Sequence, residues 1–346
     1  MDEKNLKNWI NKKKEQRERM NPDFLFTGIE QGDLSALSSG ITLIESKNKE
    51  QRKNADLLIQ KCLPLSGKSI RVGITGVPGV GKSTFIESFG MLLIERGYKV
   101  AVLAVDPSSS VSGGSILGDK TRMNELSAQK EVFIRPSPAG DTLGGVARKT
   151  RESILLCEAA GYDFILIETV GVGQSETVVK SMVDFFLLLM LSGAGDELQG
   201  IKKGIMEMAD ALVITKADGD NKQRAKLAAR EYKNALHLFP ANKNKWIPQV
   251  FTCSAIEKSN ITNVLDVIED FRSHVYSNGW FQSNRRSQDK KWLSETLKEL
   301  IINDFFLDAE MIVQLKKIEH RVIEGEITSF QAADELYKYY TNARRV

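Results

Sequence analysis

Hydrophobic positions change period along the chain. Over residues 1–67 apolar side chains recur at helical spacing (Leu34, Leu37, Ile41, Ile44, then Leu57, Leu58, Cys62) within an otherwise charged and polar segment. That spacing predicts N-terminal helices packed on something larger. From residue 68 short β-branched runs at 70–75, 100–105, 164–168, 211–215 and 249–252 alternate with longer amphipathic stretches. The alternation predicts an α/β domain with a mostly parallel sheet. Two more apolar runs, 132–135 and 185–191, add strands. The second is continuous, a texture shared with a buried helix segment, and we assign it to a strand. After residue 277 the polar stretch NGWFQSNRRSQDKK predicts a linker or turn. Residues 289–343 carry helical patterning only (Trp292, Leu297, Leu300, Ile301, then Ile312, Leu315, Ile318, Val322). A tail of this kind packs its apolar faces on its own core or on a second copy of the chain. The pattern thus gives an N-terminal helical segment (1–67), an α/β domain (68–277) and a C-terminal helical dimerisation segment (278–346), with no internal repeat.

Composition narrows the class. The 346 residues are 42% hydrophobic and 27% charged, ordinary for a globular protein with a large core. Lys and Arg number 48 against 45 Asp and Glu, so the net charge of +3 makes no electrostatic case for nucleic acid or an anionic membrane as the main partner. Cys62, Cys157 and Cys253 form no CxxC pair, which predicts thiols of a reducing compartment and no disulfide or metal framework. The first twenty residues hold no apolar run of signal-peptide length, and the longest apolar stretch, 185–191, is far short of the roughly 20 residues that span a bilayer. A cytoplasmic protein without a membrane span is expected.

The strongest chemical signal is Gly76-Val77-Pro78-Gly79-Val80-Gly81-Lys82-Ser83-Thr84, placed between an apolar strand and a helical run. It satisfies GxxxxGK[ST] in the context that distinguishes a phosphate-binding loop from any glycine-rich turn. Glycines let successive N–H groups face the phosphates, Lys82 bridges the β- and γ-phosphates, and Ser83 offers a hydroxyl oxygen to Mg²⁺. Thr84 falls near the α-phosphate. Such a loop needs an acid for Mg²⁺ at the end of another strand. Asp106, after 100–105, and Glu168, closing 164–168, both fit. Gly171 follows Glu168 by three residues, the spacing of a DxxG switch with Glu in place of Asp. Gln174 is a candidate to orient the attacking water, offset from the place such a residue usually takes.

Thr215-Lys216-Ala217-Asp218 follows a strand and has the form of a guanine-specificity loop. A carboxylate at Asp218 accepts from both N1–H and the 2-amino group of guanine, whereas adenine would leave it desolvated and unpaired. Lys216 lays its aliphatic stem over the base. The loop opens with Thr215 where Asn is usual, which predicts weaker buttressing. Thr252-Cys253-Ser254-Ala255 follows the next strand, where the Ala255 amide meets the guanine O6. GTP is therefore expected over ATP.

These blocks resemble one family, the MeaB/MMAA-type G-protein chaperones of adenosylcobalamin-dependent acyl-CoA mutases, also known as ArgK or LAO/AO transport ATPases. The matching stretches are GITGVPGVGKSTFIESFG, VAVLAVDPSSSVSGGSILGDKTRM, IRPSPAGDTLGGVARKTRESILLCEAAGYDFILIETVGVGQSE and SGAGDELQGIKKGIMEMADALVITKADGDN, within about residues 30–275. The resemblance implies an α/β P-loop NTPase fold similar to the signal-recognition-particle GTPases, and a homodimer held by C-terminal helices. Carried over, nucleotide contacts fall on 76–84, Lys216, Asp218, Ser254, Ala255 and Ile256. The family's magnesium-proximal acids fall on Asp106 and Glu168, beside Ser83, and the residues themselves offer Lys82, Glu168 and Gln174 as the catalytic candidates. Residues 110–123 and 170–176 look like two switches, and 193–204 like an additional switch that signals nucleotide state to the mutase. Read on composition alone, that last block is a solvated loop and helix start.

The implied function is a Mg²⁺-dependent GTPase that docks on methylmalonyl-CoA mutase or a relative, gates adenosylcobalamin loading and protects or reactivates the enzyme. Two other readings stand beside it, an ATPase or kinase coupled to lysine, arginine and ornithine transport, and a nucleotide-gated scaffold with incidental hydrolysis. There is no DxHxxG, and His237, His274 and His320 lack ligand spacing. Cobalamin is thus expected on the partner and not on this chain.

Overall fold

Seven short apolar runs become the seven strands of one parallel sheet in the computed structural model, which describes residues 20–46, 48–105, 123–136, 143–169, 175–193, 203–240 and 242–343. The chain divides into two compact units, Met1–Gln288 and Asp289–Val346. The first opens with helices α1 (Pro22–Glu30), α2 (Leu34–Glu45) and α3 (Lys49–Cys62). Each begins at a residue whose side chain caps it, Asn21, Asp33 and Asn48.

The α/β region then runs β1 (Ile70–Gly76), α4 (Lys82–Glu95), β2 (Val100–Val105), the single turn α5 (Asn124–Ser127), β3 (Val132–Arg135) and α6 (Leu143–Ala159). It continues through β4 (Phe164–Thr169), α7 (Ser175–Lys180), β5 (Phe185–Met190), α8 (Lys203–Met208), β6 (Ala211–Ile214), α9 (Lys222–Leu236), β7 (Gln249–Thr252) and α10 (Ile261–Ser277). The strand order is β3-β2-β4-β1-β5-β6-β7. Because β2 and β4 lie on one side of β1 and β5 to β7 on the other, β1 sits where the order reverses, the place where open α/β sheets hold ligands at their carboxyl ends. Strands β1, β2, β4, β5 and β6 are buried at every residue, which explains their continuous apolar texture. The run at 185–191 is accordingly a strand, β5. One core cluster joins β1 and β5 to α4 and α10, with Phe185 edge-on to Phe271 at 5.0 Å between ring centroids.

At the opposite, amino end of the sheet lies a buried charge cluster. Arg71 on β1 forks onto Glu158 of α6 through Nε (3.0 Å) and Nη2 (2.9 Å). Arg285 reaches Asp184 with Nε and Nη2, both at 2.6 Å, and Glu158 with Nη1 at 3.2 Å. Ser69 Oγ and the Gly67 amide also donate to Glu158.

Of the linker or turn expected after residue 277, the turn is confined to residues 278–279, and the rest of the stretch starts a helix, α11 (Trp280–Phe306). Gly279 (φ +73°) turns the chain, Asn278 accepts from the Trp280 amide at 2.9 Å, and Phe281 stacks on Tyr276. The polar residues that read as solvent-facing are occupied inside: Arg285 in the charge cluster, and Gln288 donating to the Val183 carbonyl at 2.7 Å. In the second unit α12 (Ala309–Ile323) and α13 (Ser329–Ala343) pack together. A cleft of ≈ 720 Å³ there is lined by apolar residues including Phe305, Leu315, Ile318, Val322 and Leu336.

Candidate functional site

The carboxyl edge of the sheet gathers three loops. The first begins where β1 ends, at Gly76. A Cβ there would stand 2.5 Å from the Leu189 carbonyl oxygen on β5, so no other residue lets the two strands approach as they do. Gly79 (φ +77°) and Gly81 (φ +92°) then curl the chain into α4, with Gly81 at the N-cap. No side chain caps this helix, and its first amides are left to whatever anion occupies the loop. Val80 is fully buried and pins the loop, Gly81, Lys82 and Ser83 are half-buried, and Pro78, Gly79 and Thr84 are exposed.

Lys82 Nζ folds back to donate to the Gly76 carbonyl at 3.0 Å. Burial lowers the pKa of its amine, while the Glu168 and Glu176 carboxylates pull the other way and favour the charged form. Ser83 Oγ lies 3.5 Å from Glu168 Oε1, at the outer limit of a hydrogen bond. Glu168 occupies β4 opposite Ile74 of β1 and is 5% exposed. One residue on, the Thr169 and Thr75 hydroxyls bond at 2.7 Å and keep the two strand ends together. A hydroxyl and a carboxylate oxygen from adjacent elements are hard donors of the kind Mg²⁺ takes. Among the described residues no group of three or more His, Cys, Asp and Glu side chains converges.

The second loop, after β6, is tied to the first. Thr215 Oγ1 lies 2.7 Å from the Val80 carbonyl and 3.2 Å from that of Met190, and the side chain is buried. At the position where Asn is usual, the short Thr215 hydroxyl reaches the phosphate loop directly. Lys216 is in the left-handed region (φ +53°), and its Cε passes 3.9 Å from where a Cβ on Gly81 would stand. Asp218 Oδ2 accepts from Ser254 Oγ at 2.6 Å.

Ser254 belongs to the third loop, after β7. The Ala217 amide donates to the Cys253 carbonyl at 3.0 Å, and Ser254 forms a two-residue bridge with Ser259. Ser88 of α4 donates to the Ala255 carbonyl at 2.8 Å, while Ile256 is 79% exposed at the rim. Residues 76–84, Glu168, Lys216, Asp218 and 254–256 thus share one edge. Asp106, Gly171 and Gln174 lie outside the described residues, as do 110–122, 170–173 and 194–202. Sequence reading placed Glu176 in the second switch but gave no role to Ser88, Ser192 or Asn221, although each lies within a matching stretch.

Parallel sheet, strand order and loop geometry together define a P-loop nucleoside triphosphatase. Comparison with known proteins carries this further. Residues 37–310 match the family model described as methylmalonyl Co-A mutase-associated GTPase MeaB. A putative GTPase of Caulobacter vibrioides is 50% identical over 88% of this chain and 93% of its own length. The mitochondrial methylmalonic aciduria type A homolog of Mus musculus is 46% identical over 92% of this chain and 79% of its own. A solved structure described as LAO/AO transport system kinase superposes with a TM-score of 0.73 at 37% identity, covering 92% of this chain and 97% of that one. This chain belongs to the MeaB family of mutase-associated GTPases and is itself a GTPase.

Proposed function

We propose that the chain is a Mg²⁺-dependent G-protein chaperone of an adenosylcobalamin-dependent acyl-CoA mutase of the methylmalonyl-CoA type, gating cofactor loading and protecting or reactivating that enzyme. The observation that supports this best is the bond from Thr215 to Val80, which joins the phosphate loop to the TKAD loop. Phosphates and base are then read by one connected edge, in a chain of a mutase-associated family.

In this reading the amides of 76–84 cradle the phosphates, and Lys82 exchanges the Gly76 carbonyl for the β- and γ-phosphates. Asp218, oriented by Ser254, accepts from the guanine N1–H and 2-amino groups. Lys216 covers the base, the Ala255 amide meets O6, and Ile256 borders the ring. Ser83, Glu168 and Asp106 hold Mg²⁺, which when bound neutralises phosphate charge. Gln174 orients water, and hydrolysis is positional and electrostatic. Cobalamin stays on the mutase, and no nucleic acid takes part.

The C-terminal unit exposes Leu297, Ile301, Phe306 and Val313, all more than half exposed, an apolar face suited to a second copy. No described helix is long and apolar enough to cross a membrane. We place the homodimer in the cytoplasm, where three buried thiols stay reduced.

The test is isothermal titration with GDP, a nonhydrolysable GTP analogue and ATP, each with Mg²⁺, before and after adding the mutase of the same cell. Guanine-only binding whose affinity changes with the mutase is expected through linkage. Guanine binding indifferent to the mutase removes the partner, and equal ATP binding restores the transport reading. Sedimentation at micromolar concentration checks the dimer, and a monomer there overturns it.

A further inference from the structure

The side chain that holds the base loop in shape lies outside the binding motifs. Asn221 stands at the N-cap of α9, where an Asn ordinarily accepts from amides of the first turn, yet it makes no capping bond. Its side chain turns back toward the site instead. Nδ2 donates to the Lys216 carbonyl at 2.6 Å, and Oδ1 accepts from Ser192 Oγ at 2.6 Å. A carbonyl only accepts, so the NH₂ end must face Lys216, and the amide orientation follows from chemistry. The Asn221 amide also donates to the Asp218 carbonyl at 3.0 Å.

Lys216 is the residue that needs holding. Its φ of +53° disfavours any side chain bearing a Cβ, and such conformations persist where neighbours over-determine them. The flanking amides are fixed by the sheet and the third loop, Thr215 N to Met190 O at 2.9 Å and Ala217 N to Cys253 O at 3.0 Å. Asn221 supplies the bond to the carbonyl of Lys216 itself. Ser192, two residues beyond the end of β5, fixes the far side of the amide and so ties the loop to the central sheet.

We infer that Asn221, oriented by Ser192, is a positioning residue for nucleotide binding, holding the Lys216 peptide in the left-handed turn that carries its stem across Gly81 toward the base. The inference rests on the guanine-site reading above, and one experiment separates the two. GDP and IDP affinities are measured by calorimetry for wild type, Asn221→Ala, Asn221→Asp, Lys216→Ala, the Asn221→Ala/Lys216→Ala double variant and Asp218→Asn. IDP lacks the 2-amino group, so the GDP-to-IDP ratio reports Asp218 alone.

Loss of one hydrogen bond predicts about 5- to 10-fold weaker binding of both nucleotides by Asn221→Ala, with their ratio unchanged. Asn221→Asp keeps the shape but sets a carboxylate against the Lys216 carbonyl, and binds more weakly still. In the Lys216→Ala background Asn221→Ala adds little, because the two act as a unit. KM for GTP rises by more than kcat falls. Wild-type GDP affinity in Asn221→Ala, or an undiminished further loss in the Lys216→Ala background, overturns the assignment. A GDP-to-IDP ratio unmoved by Asp218→Asn overturns the guanine reading instead, whatever Asn221 does.

Discussion

Thr215 Oγ1 sits 2.7 Å from the carbonyl oxygen of Val80, a contact across 135 residues that fastens the loop after β6 to the loop after β1. Thr215→Val keeps the branched shape and removes the hydroxyl, taking the donor from the Val80 carbonyl at a cost of about 1–3 kcal/mol, while the Met190 carbonyl keeps the Thr215 amide. GDP affinity is expected to fall by about tenfold, with Thr215→Ser restoring most of it. Calorimetry on the pair checks this, and equal affinities for wild type and Thr215→Val would remove the tether from the account.

Gly76→Ala forces a methyl group to within 2.5 Å of the Leu189 carbonyl oxygen, a backbone atom that has nowhere to retreat inside a paired strand. Overpacking of this kind costs about 1–3 kcal/mol. Thermal unfolding should show the loss even without nucleotide, because the clash is between strands and not with a ligand. A variant as stable as wild type would mean that β5 moves more freely than its register implies.

Ser83→Ala removes the hydroxyl that stands 3.5 Å from Glu168. The gain in GTP affinity on adding Mg²⁺ should disappear, while affinity measured without metal changes little. Titrations with Mg²⁺ and with a chelator separate the two effects. A preserved metal-dependent gain would show that Ser83 is not a ligand.

The charge cluster at the amino end of the sheet predicts an acid-sensitive fold. Burial alone raises the Glu158 pKa, but the Arg71 and Arg285 guanidiniums and the Ser69 hydroxyl outweigh it and bring the group from its ordinary 4.5 down to about 2. A depressed carboxylate contributes stability that is present above about pH 4.5 and drains away as the pH falls toward 2. Arg285→Met strands part of the negative charge of Asp184 and Glu158 and should cost about 3–5 kcal/mol at neutral pH. It should also move the acid limb of the stability curve to higher pH. Denaturant unfolding from pH 7 to pH 2.5 measures both, and an unchanged acid limb in the variant would uncouple Arg285 from Glu158.

The fold was legible where the physics is local. Strands such as β1 and β4, buried at every residue, leave unbroken apolar runs, and the phosphate loop is nine contiguous residues whose glycines have a conformational reason. What escaped depends on distant partners. Residues 278–291 read as linker because Arg285 and Gln288 are polar, and only the fold reveals that Asp184 and the Val183 carbonyl wait for them. Asn221 carries no sequence signal of its role, since Ser192, which orients its side chain, is 29 positions away. The tether from Thr215 was hidden for a similar reason, since the motif gives no distance to Val80.

Ser254 holds one oxygen of Asp218 at 2.6 Å, a bond between two side chains of the protein itself. The carboxylate therefore has little rotational freedom left to lose, and the conformational entropy of ordering it was settled when the chain folded. Guanine binding at this edge should accordingly release heat with only a small entropic penalty from the base half of the site, and Ser254→Ala should shift that balance toward a larger penalty even where the affinity itself moves little.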